Sequence, residues 1–446
     1  MVVSPRCLIE RDTLMATHDY KRRFLGEQAL HPETLMLSYG YDPQLSEGAV
    51  KPPVFLTSTF AFPTAEDGAA YFESHAGKPD ARDPSDTGLI YSRFNHPNLQ
   101  IAEDRLAVLE GGESAAVFAS GMAAISTTLL ALVSHGEVIL RSQPLYGGTE
   151  TLISSVLAAL QFRSHGFTDG LSLAGIRQAA ANAMALGPVR MIFLETPANP
   201  TNSLIDFSAV ATVADEMERA QGMRPIIVCD NTMLGPIFQQ PISHGVDIVL
   251  YSLTKYIGGH SDLIAGAAIG RNDLIDPVRR TRGAFGTQLD PHSCWMIGRS
   301  LETVMLRMQR AAQSASLVAN WLAKHPQVDV VYHPEHITEE RYQAVYKKQC
   351  SGAGSTFSFS IHGARNEAFA ALNKLQIFKL AVSLGGSESL ICHPSSTIHS
   401  GVDRALREKL HITESLIRIS IGLEHPDDLI ADLNAALSLN TASNCD

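Results

Sequence analysis

Two short stretches decide how this chain folds: Ile226-Ile-Val-Cys-Asp230-Asn-Thr232 and Ile248-Val-Leu-Tyr-Ser252-Leu-Thr254-Lys255. Each opens with an apolar, β-branched run too short for a helix and closes on polar residues, the pattern of a buried strand. Val138-Ile-Leu140 and Met191-Ile-Phe-Leu194 read the same way, and the amphipathic stretches 152–160 and 207–220 read as helices between them. Strand and helix in alternation predict an α/β fold with a mainly parallel sheet covered on both faces. In such sheets ligands bind beyond the carboxyl ends of the strands. Asp230, Ser252, Thr254 and Lys255 all stand just there.

Upstream, Ile101 to Glu110 has helical periodicity and stops at Gly111-Gly112, a natural helix end. Residues 1 to about 60 read as an irregular arm, with Pro32, Pro43, Pro52, Pro53 and, just beyond, Pro63 expected to break regular elements, and 78–87 as a polar loop. Downstream, 300–325 reads as one long helix. Phe357 to Ile361 and Leu416 to Ile421 alternate like strands with one wet face, and 427–439 closes the chain as an amphipathic helix. This second part reads as a smaller α+β region.

Composition narrows the function. The chain has 446 residues, of which 45% are apolar and 18% charged, enough to bury a large core without staples. A net charge of −11 argues against a general nucleic-acid binder. The cysteines Cys7, Cys229, Cys294, Cys350, Cys392 and Cys445 show neither C-x-x-C nor zinc-ligand spacing, so no metal site is expected and the thiols read as those of a reduced, cytoplasmic protein. The first 14 residues lack the apolar core of a signal peptide, and Met1 and Met15 are both possible starts. The uncharged stretch 114–134 reads as a buried helix beside a tight turn, not as a membrane span.

Lys255 lies 25 positions after Asp230, at the end of a neighbouring strand, flanked by the hydroxyls of Ser252 and Thr254. A buried lysine sheds its proton readily and serves as a Schiff-base amine. Ser120-Gly121-Met122 is a small-residue turn opening a helix, able to present N–H groups to an anion. Each feature alone is commonplace. Together they supply what pyridoxal 5′-phosphate (PLP) requires: an amine for the imine, an acid for the ring nitrogen and a helix start for the phosphate.

The segment Tyr251-Ser-Leu-Thr-Lys-Tyr-Ile-Gly-Gly-His-Ser-Asp262 resembles the lysine motif of the Cys/Met-metabolism family of PLP enzymes. That family contains cystathionine γ-synthase, cystathionine lyases, methionine γ-lyase and O-acylhomoserine sulfhydrylases. Further matches fall in order at Tyr91-Ser-Arg93-Phe-Asn95, Ser120 to Ala124, Leu145 to Thr149, Glu195-Thr-Pro-Ala-Asn199-Pro-Thr201, Val382 to Gly386, His393 to His399 and Arg418 to Glu424. The resemblance implies a fold-type-I, aminotransferase-like architecture. Its parts are an N-terminal arm (residues 1–95) reaching a neighbouring active site, a large PLP domain (96–305) and a C-terminal domain (306–446). It also implies roles: Lys255 holds the cofactor and shuttles protons, Asp230 pairs with the ring nitrogen, and Tyr146 stacks on the ring and serves acid–base steps. Gly121, Met122, Ser252 and Thr254 take the phosphate, completed by Tyr91 and Arg93 from the adjoining subunit of a dimer of dimers, a homotetramer. Asn199 sits near the ring hydroxyl, and Arg418, with Ser383, clamps the substrate carboxylate. Read singly, Tyr146 is a core aromatic and Arg418 a surface charge. His393, His399 and Cys392 read as structural.

Within the family, enzymes handling cystathionine usually carry Glu where this chain has Val382, so the pocket looks like that of methionine γ-lyase. An apolar side chain leaves a distal ammonium unpaired. Two departures stand against this: Gly148 replaces the usual Cys of methionine γ-lyases, and Arg282-Gly283 replaces a Lys-Asp pair, so the substrate-side pocket is expected to differ from theirs. The reading is therefore γ-elimination on a sulfur amino acid. γ-Replacement on an O-acylhomoserine is the alternative, and an inactive binding or scaffold relative a remote one.

Overall fold

A computed structural model describes residues 19–78, 81 and 88–438; most of the polar loop 78–87, Cys7, Cys445 and both candidate starts lie outside the described residues. The larger of two main sheets has seven strands. They are β3 (Ser114–Phe118), β4 (Val138–Ser142), β5 (Arg163–Phe167), β6 (Val189–Glu195), β7 (Ile226–Asp230), β8 (Ile248–Ser252) and β9 (Gly266–Gly270), after a small hairpin of β1 (Phe24–Leu25) and β2 (Gln28–Ala29). Their order is β3-β9-β8-β7-β6-β4-β5. Strands β4 to β8 pair in parallel, and β9 runs antiparallel to both β3 and β8.

Side-chain alternation explains why those apolar runs carry no polar face. Val117, Leu140, Ile192, Ile227, Val249 and Ile269 pack into one core, while Phe118, Ile139, Phe193, Val228, Leu250 and Ala268 pack into another on the opposite face. Helices cover both. Among them, Phe207–Gln221 matches its expected span closely, and Pro97–Glu110 ends at Gly111, whose φ of +78° is the left-handed cap that glycine adopts without strain. Stretch 114–134 is β3, a turn at Ser120 and the helix Gly121–Leu132. No helix among the described residues is long and apolar enough to cross a membrane.

The smaller sheet holds β10 (Val328–Tyr332), β11 (Thr356–Ile361), β12 (Lys379–Leu380), β13 (Leu390–Cys392) and β14 (Leu416–Ser420), in the order β10-β11-β14-β13-β12. All its pairings are antiparallel except that of β12 with β13. Phe357, Phe359, Ile417 and Ile419 form its core with the helices Val304–Leu322 and Pro426–Leu437.

Several expectations are corrected. The polar faces of β11 and β14 are not wet: Thr356, Ser358, Arg418 and Ser420 are buried against loops of the larger sheet. The Ser358 hydroxyl donates to the Pro200 carbonyl (2.7 Å), and Thr356 Oγ1 pairs with the Tyr256 hydroxyl (2.8 Å). The arm contains the helix Pro32–Ser38 and the 3₁₀ turn Pro43–Ser46; Pro32 and Pro43 begin these elements, since a first-turn proline gives up no helical hydrogen bond. Stretch 152–160 is helical as expected, opening with a π-helical turn, Leu152–Leu157, that continues the short helix Gly147–Thr151. Stretch 300–325 is divided, since Pro291–Leu301 ends before Val304–Leu322 begins.

Candidate active site

The carboxyl ends of β6, β7 and β8, the start of helix Gly121–Leu132 and the polar face of the smaller sheet enclose a cavity of about 300 Å³. Lys255, Asp230, Tyr146, Gly121, Met122, Asn199, Ser252, Thr254, Val382, Ser383 and Arg418 all line it. Tyr91 and Arg93 do not. Tyr91 is exposed, and Arg93 donates to the Gly283 carbonyl and stacks over the Phe94 ring at 4.3 Å.

Asp230 ends β7. Its Oδ1 accepts from the Thr232 amide (3.1 Å) and hydroxyl (2.6 Å), and the Ser252 amide in turn donates to Thr232 Oγ1 (2.9 Å). Burial raises the Asp230 carboxyl above the usual range, against the pull of Thr232 and Lys255. Lys255 follows β8, and its Nζ donates to Ser383 Oγ (2.9 Å). Burial, helped by the Arg418 cation and opposed by Asp230, lowers the lysine to about 8, so roughly one-tenth of it is an uncharged amine at pH 7.

Arg418 is only 3% exposed. It donates from Nη1 to Asn199 Oδ1 (3.2 Å) and from Nη2 to the Ser383 carbonyl (2.6 Å), leaving its buried Nε without a partner. Ser383 itself has φ of +101°, a conformation costly for a non-glycine residue and characteristic of functional turns. Such a turn directs the serine's hydroxyl to Lys255 and its carbonyl to Arg418.

These residues fit PLP. At the helix start Ser120 Oγ accepts from the Ala123 amide (3.0 Å), and the amides of Gly121 and Met122 have no acceptor within the helix. A Cβ on Gly121 would sit 3.0 Å from Ser252 Cβ, so glycine lets the helix start close on the strand end that carries the hydroxyls. Thr254 Oγ1 both donates to and accepts from the Ala265 backbone. Anion cradle, buried acid, softened amine and an aromatic ring at the mouth occupy one cavity.

The comparisons agree. A family model described as "Cys/Met metabolism PLP-dependent enzyme" matches residues 33–438. The chain belongs to the Cys/Met-metabolism family of PLP-dependent enzymes. It is 38% identical over 410 residues to the L-methionine γ-lyase of Pseudomonas putida, covering 91% of this chain and 96% of that one. The solved cystathionine γ-synthase of Xanthomonas oryzae pv. oryzae superposes with a TM-score of 0.81 at 30% identity, covering 92% and 98% of the two chains. A Campylobacter jejuni chain named as an O-acetylhomoserine (thiol)-lyase, carrying N′-pyridoxyl-lysine-5′-monophosphate, gives 0.82 at 30% identity, covering 92% and 100%. The fold is thus the PLP-dependent fold type I.

In this family member the two departures from the expected pocket occupy different places. Arg282 is buried in the core. It pairs with Glu103 (2.5 Å) and donates to the carbonyls of Val117 (2.8 Å) and Phe94 (3.3 Å), because its helix turns that face inward. Gly283 lies against Phe94, beside Arg93, outside the cavity. Gly148 sits behind Tyr146: a Cβ there would come within 2.7 Å of the Tyr146 ring and 3.2 Å of Met122 Sδ. His393 is held between the Ser396 hydroxyl (2.8 Å) and the Glu414 carbonyl (2.9 Å). Burial and the Arg418 cation push His399 down to about 4, and Cys392 is packed in β13 opposite Arg418.

One titratable residue of the cavity had no role assigned from sequence. Glu195 ends β6 directly beside Asp230 in register. The signal was present, since a carboxylate closes the run Met191–Leu194 just as Asp230 closes Ile226–Cys229. Burial, with the neighbouring Asp230, raises Glu195 above the usual carboxylate range, while the amides of Tyr146 and Asn199 pull it back toward the ionised form.

Proposed function

We propose that the enzyme catalyses γ-elimination on a sulfur amino acid, in the manner of methionine γ-lyase, releasing a thiol, ammonia and a 2-oxo acid. The observation that carries this reading is the charge pattern of the cavity. Its only carboxylates among the described residues are Asp230, held at its floor, and Glu195, committed to backbone amides. Val382 stands on the substrate side, so a distal ammonium such as cystathionine's meets no free counter-charge, an expensive arrangement in a dry pocket. The similarity to methionine γ-lyases supports the same choice.

When bound, PLP withdraws electrons from the substrate's Cα and so acidifies its protons. This chain's residues do the rest. Asp230 would supply a negative charge toward the ring nitrogen, and Tyr146 would cover the ring. Gly121, Met122, Ser252 and Thr254 would hold the phosphate, and Asn199 would lie near the ring. Arg418, which lines the cavity, would seat the substrate carboxylate, while Ser383 orients Lys255. The Lys255 amine, uncharged in part at neutral pH, holds the cofactor and takes and returns protons at the substrate carbons. Tyr91 and Arg93 complete the phosphate site from a neighbouring subunit of a dimer of dimers; the exposure of Tyr91 outside its own chain's cavity supports this. The free thiols Cys229, Cys294, Cys350 and Cys392 support a cytoplasmic setting.

A substrate panel on the purified holoenzyme tests the reading. Methanethiol and 2-oxobutanoate from L-methionine alone are expected. Product from an O-acylhomoserine only when sulfide or cysteine is added would establish γ-replacement instead.

A further inference from the structure

Two of the cavity's groups come from separate loops. One follows β4 and carries Tyr146; the other follows β6 and carries Asn199. Glu195 joins them. The Tyr146 amide donates to its Oε2 (2.6 Å) and the Asn199 amide to its Oε1 (3.0 Å), while its own amide is fixed by Ser142 Oγ (3.0 Å). The side chain is 4% exposed and spans the two loops with one oxygen each. From Asn199 the connection continues. The Asn199 side chain receives Arg418, Arg418 holds the Ser383 carbonyl, and Ser383 Oγ receives Lys255. Hydrogen bonds, linked through the covalent bodies of Glu195, Asn199, Arg418 and Ser383, thus connect the Tyr146 backbone to the lysine.

We propose that Glu195 is a positioning residue that sets the spacing between the ring-face loop of Tyr146 and the Asn199–Arg418 pair, so that seating the substrate carboxylate and aligning the cofactor ring are coupled. The proposal rests on the site assignment above. Both carboxylate oxygens are needed as acceptors. A glutamine keeps the size but turns one oxygen into an NH₂ that faces a backbone N–H, donor against donor, and one of the two loops must move. An unmade buried hydrogen bond is more costly than one replaced on both sides.

The test compares Glu195→Gln and Glu195→Ala with Ile192→Ala, a buried residue of the same strand that does not line the cavity. Four quantities are read: thermal midpoint, cofactor affinity by titration of the apoenzyme, visible circular dichroism of the bound cofactor, and kcat and KM separately. In Glu195→Gln the visible dichroism is expected to change, cofactor affinity to fall about tenfold, kcat to fall about tenfold and KM to rise several-fold, with a thermal midpoint above that of Ile192→Ala. Glu195→Asp retains a carboxylate and is expected to recover part of the dichroism. Should Glu195→Gln match the wild type in dichroism and kinetics within twofold, the role is refuted. It is equally refuted if Ile192→Ala reproduces every change at equal destabilisation. Lys255→Ala is run alongside: if it too leaves cofactor capture and turnover intact, the site assignment itself has failed.

Discussion

The two sheets furnish the same cavity by opposite means. In the seven-stranded sheet both faces are spent on apolar packing, and chemistry appears only where a strand runs out: Glu195 ends β6, Asp230 ends β7, and Lys255 follows β8. In the five-stranded sheet one face is apolar and the other is polar but buried against loops of the larger sheet, so Arg418 reaches the cavity from the middle of β14. A sheet enclosed on both faces has no room for a buried charge except at its rim, whereas a sheet with one free face can turn that face toward a site. Stability and chemistry are therefore separated by strand position in the first sheet and by side-chain parity in the second.

Four experiments bear on that separation, beginning with the largest effect. Lys255→Ala at the rim should abolish turnover by at least about 10⁴-fold, the upper end of what one positioned proton-transfer group supplies. The bound-cofactor absorption should be lost too, with little change in the thermal midpoint. Retained turnover would remove Lys255 from the site. Phe357→Ala, on the fully buried apolar face of β11, should cost about 3–5 kcal/mol by chemical denaturation. Its kcat/KM per folded molecule should stay within about twofold of wild type. A large rate defect would show that parity does not divide stability from chemistry.

Arg418→Lys, on the other face, keeps the charge and loses the fork that serves Asn199 and Ser383 together. A reduction in kcat/KM of about 10- to 100-fold is expected, mostly through KM, as for loss of one or two charge-assisted hydrogen bonds. An unchanged KM would mean the carboxylate is held elsewhere. The smallest effect is in pH. Since Lys255 titrates near 8 and reacts as the free amine, cofactor capture by the apoenzyme should accelerate up to tenfold per unit as pH rises toward 8, then level off. Arg418→Met removes a cation that favours deprotonation and should shift that midpoint upward; a fixed midpoint would show that the two sheets do not communicate through charge.

The same contrast explains what could be read from the chain alone. Asp230, Lys255, Ser252 and Thr254 were legible because a polar residue closing an apolar run marks a strand end. Glu195 carried the same mark, but a second carboxylate beside Asp230 has no obvious use until both of its oxygens are seen holding amides. The alternation of Phe357 to Ile361 marked the strand and which of its residues share a face. It misled on the wet face, because alternation shows that two faces differ, not what covers the polar one. Arg282 in its motif position resembled a pocket residue; only Glu103, 179 positions away, reveals an internal ion pair.

Local pattern by itself determined the parallel sheet, the strand ends, the helix start at Gly121 and, through the order of its motifs, the family. These follow from hydrophobic period and backbone chemistry, which act over a few residues. Tertiary structure alone decided that Arg418 is buried, that Ser383 takes a left-handed turn between Lys255 and Arg418, and that Glu195 joins the Tyr146 and Asn199 loops. Each depends on groups far apart in the chain meeting in a space from which water is excluded, and no local period records which partners will meet there.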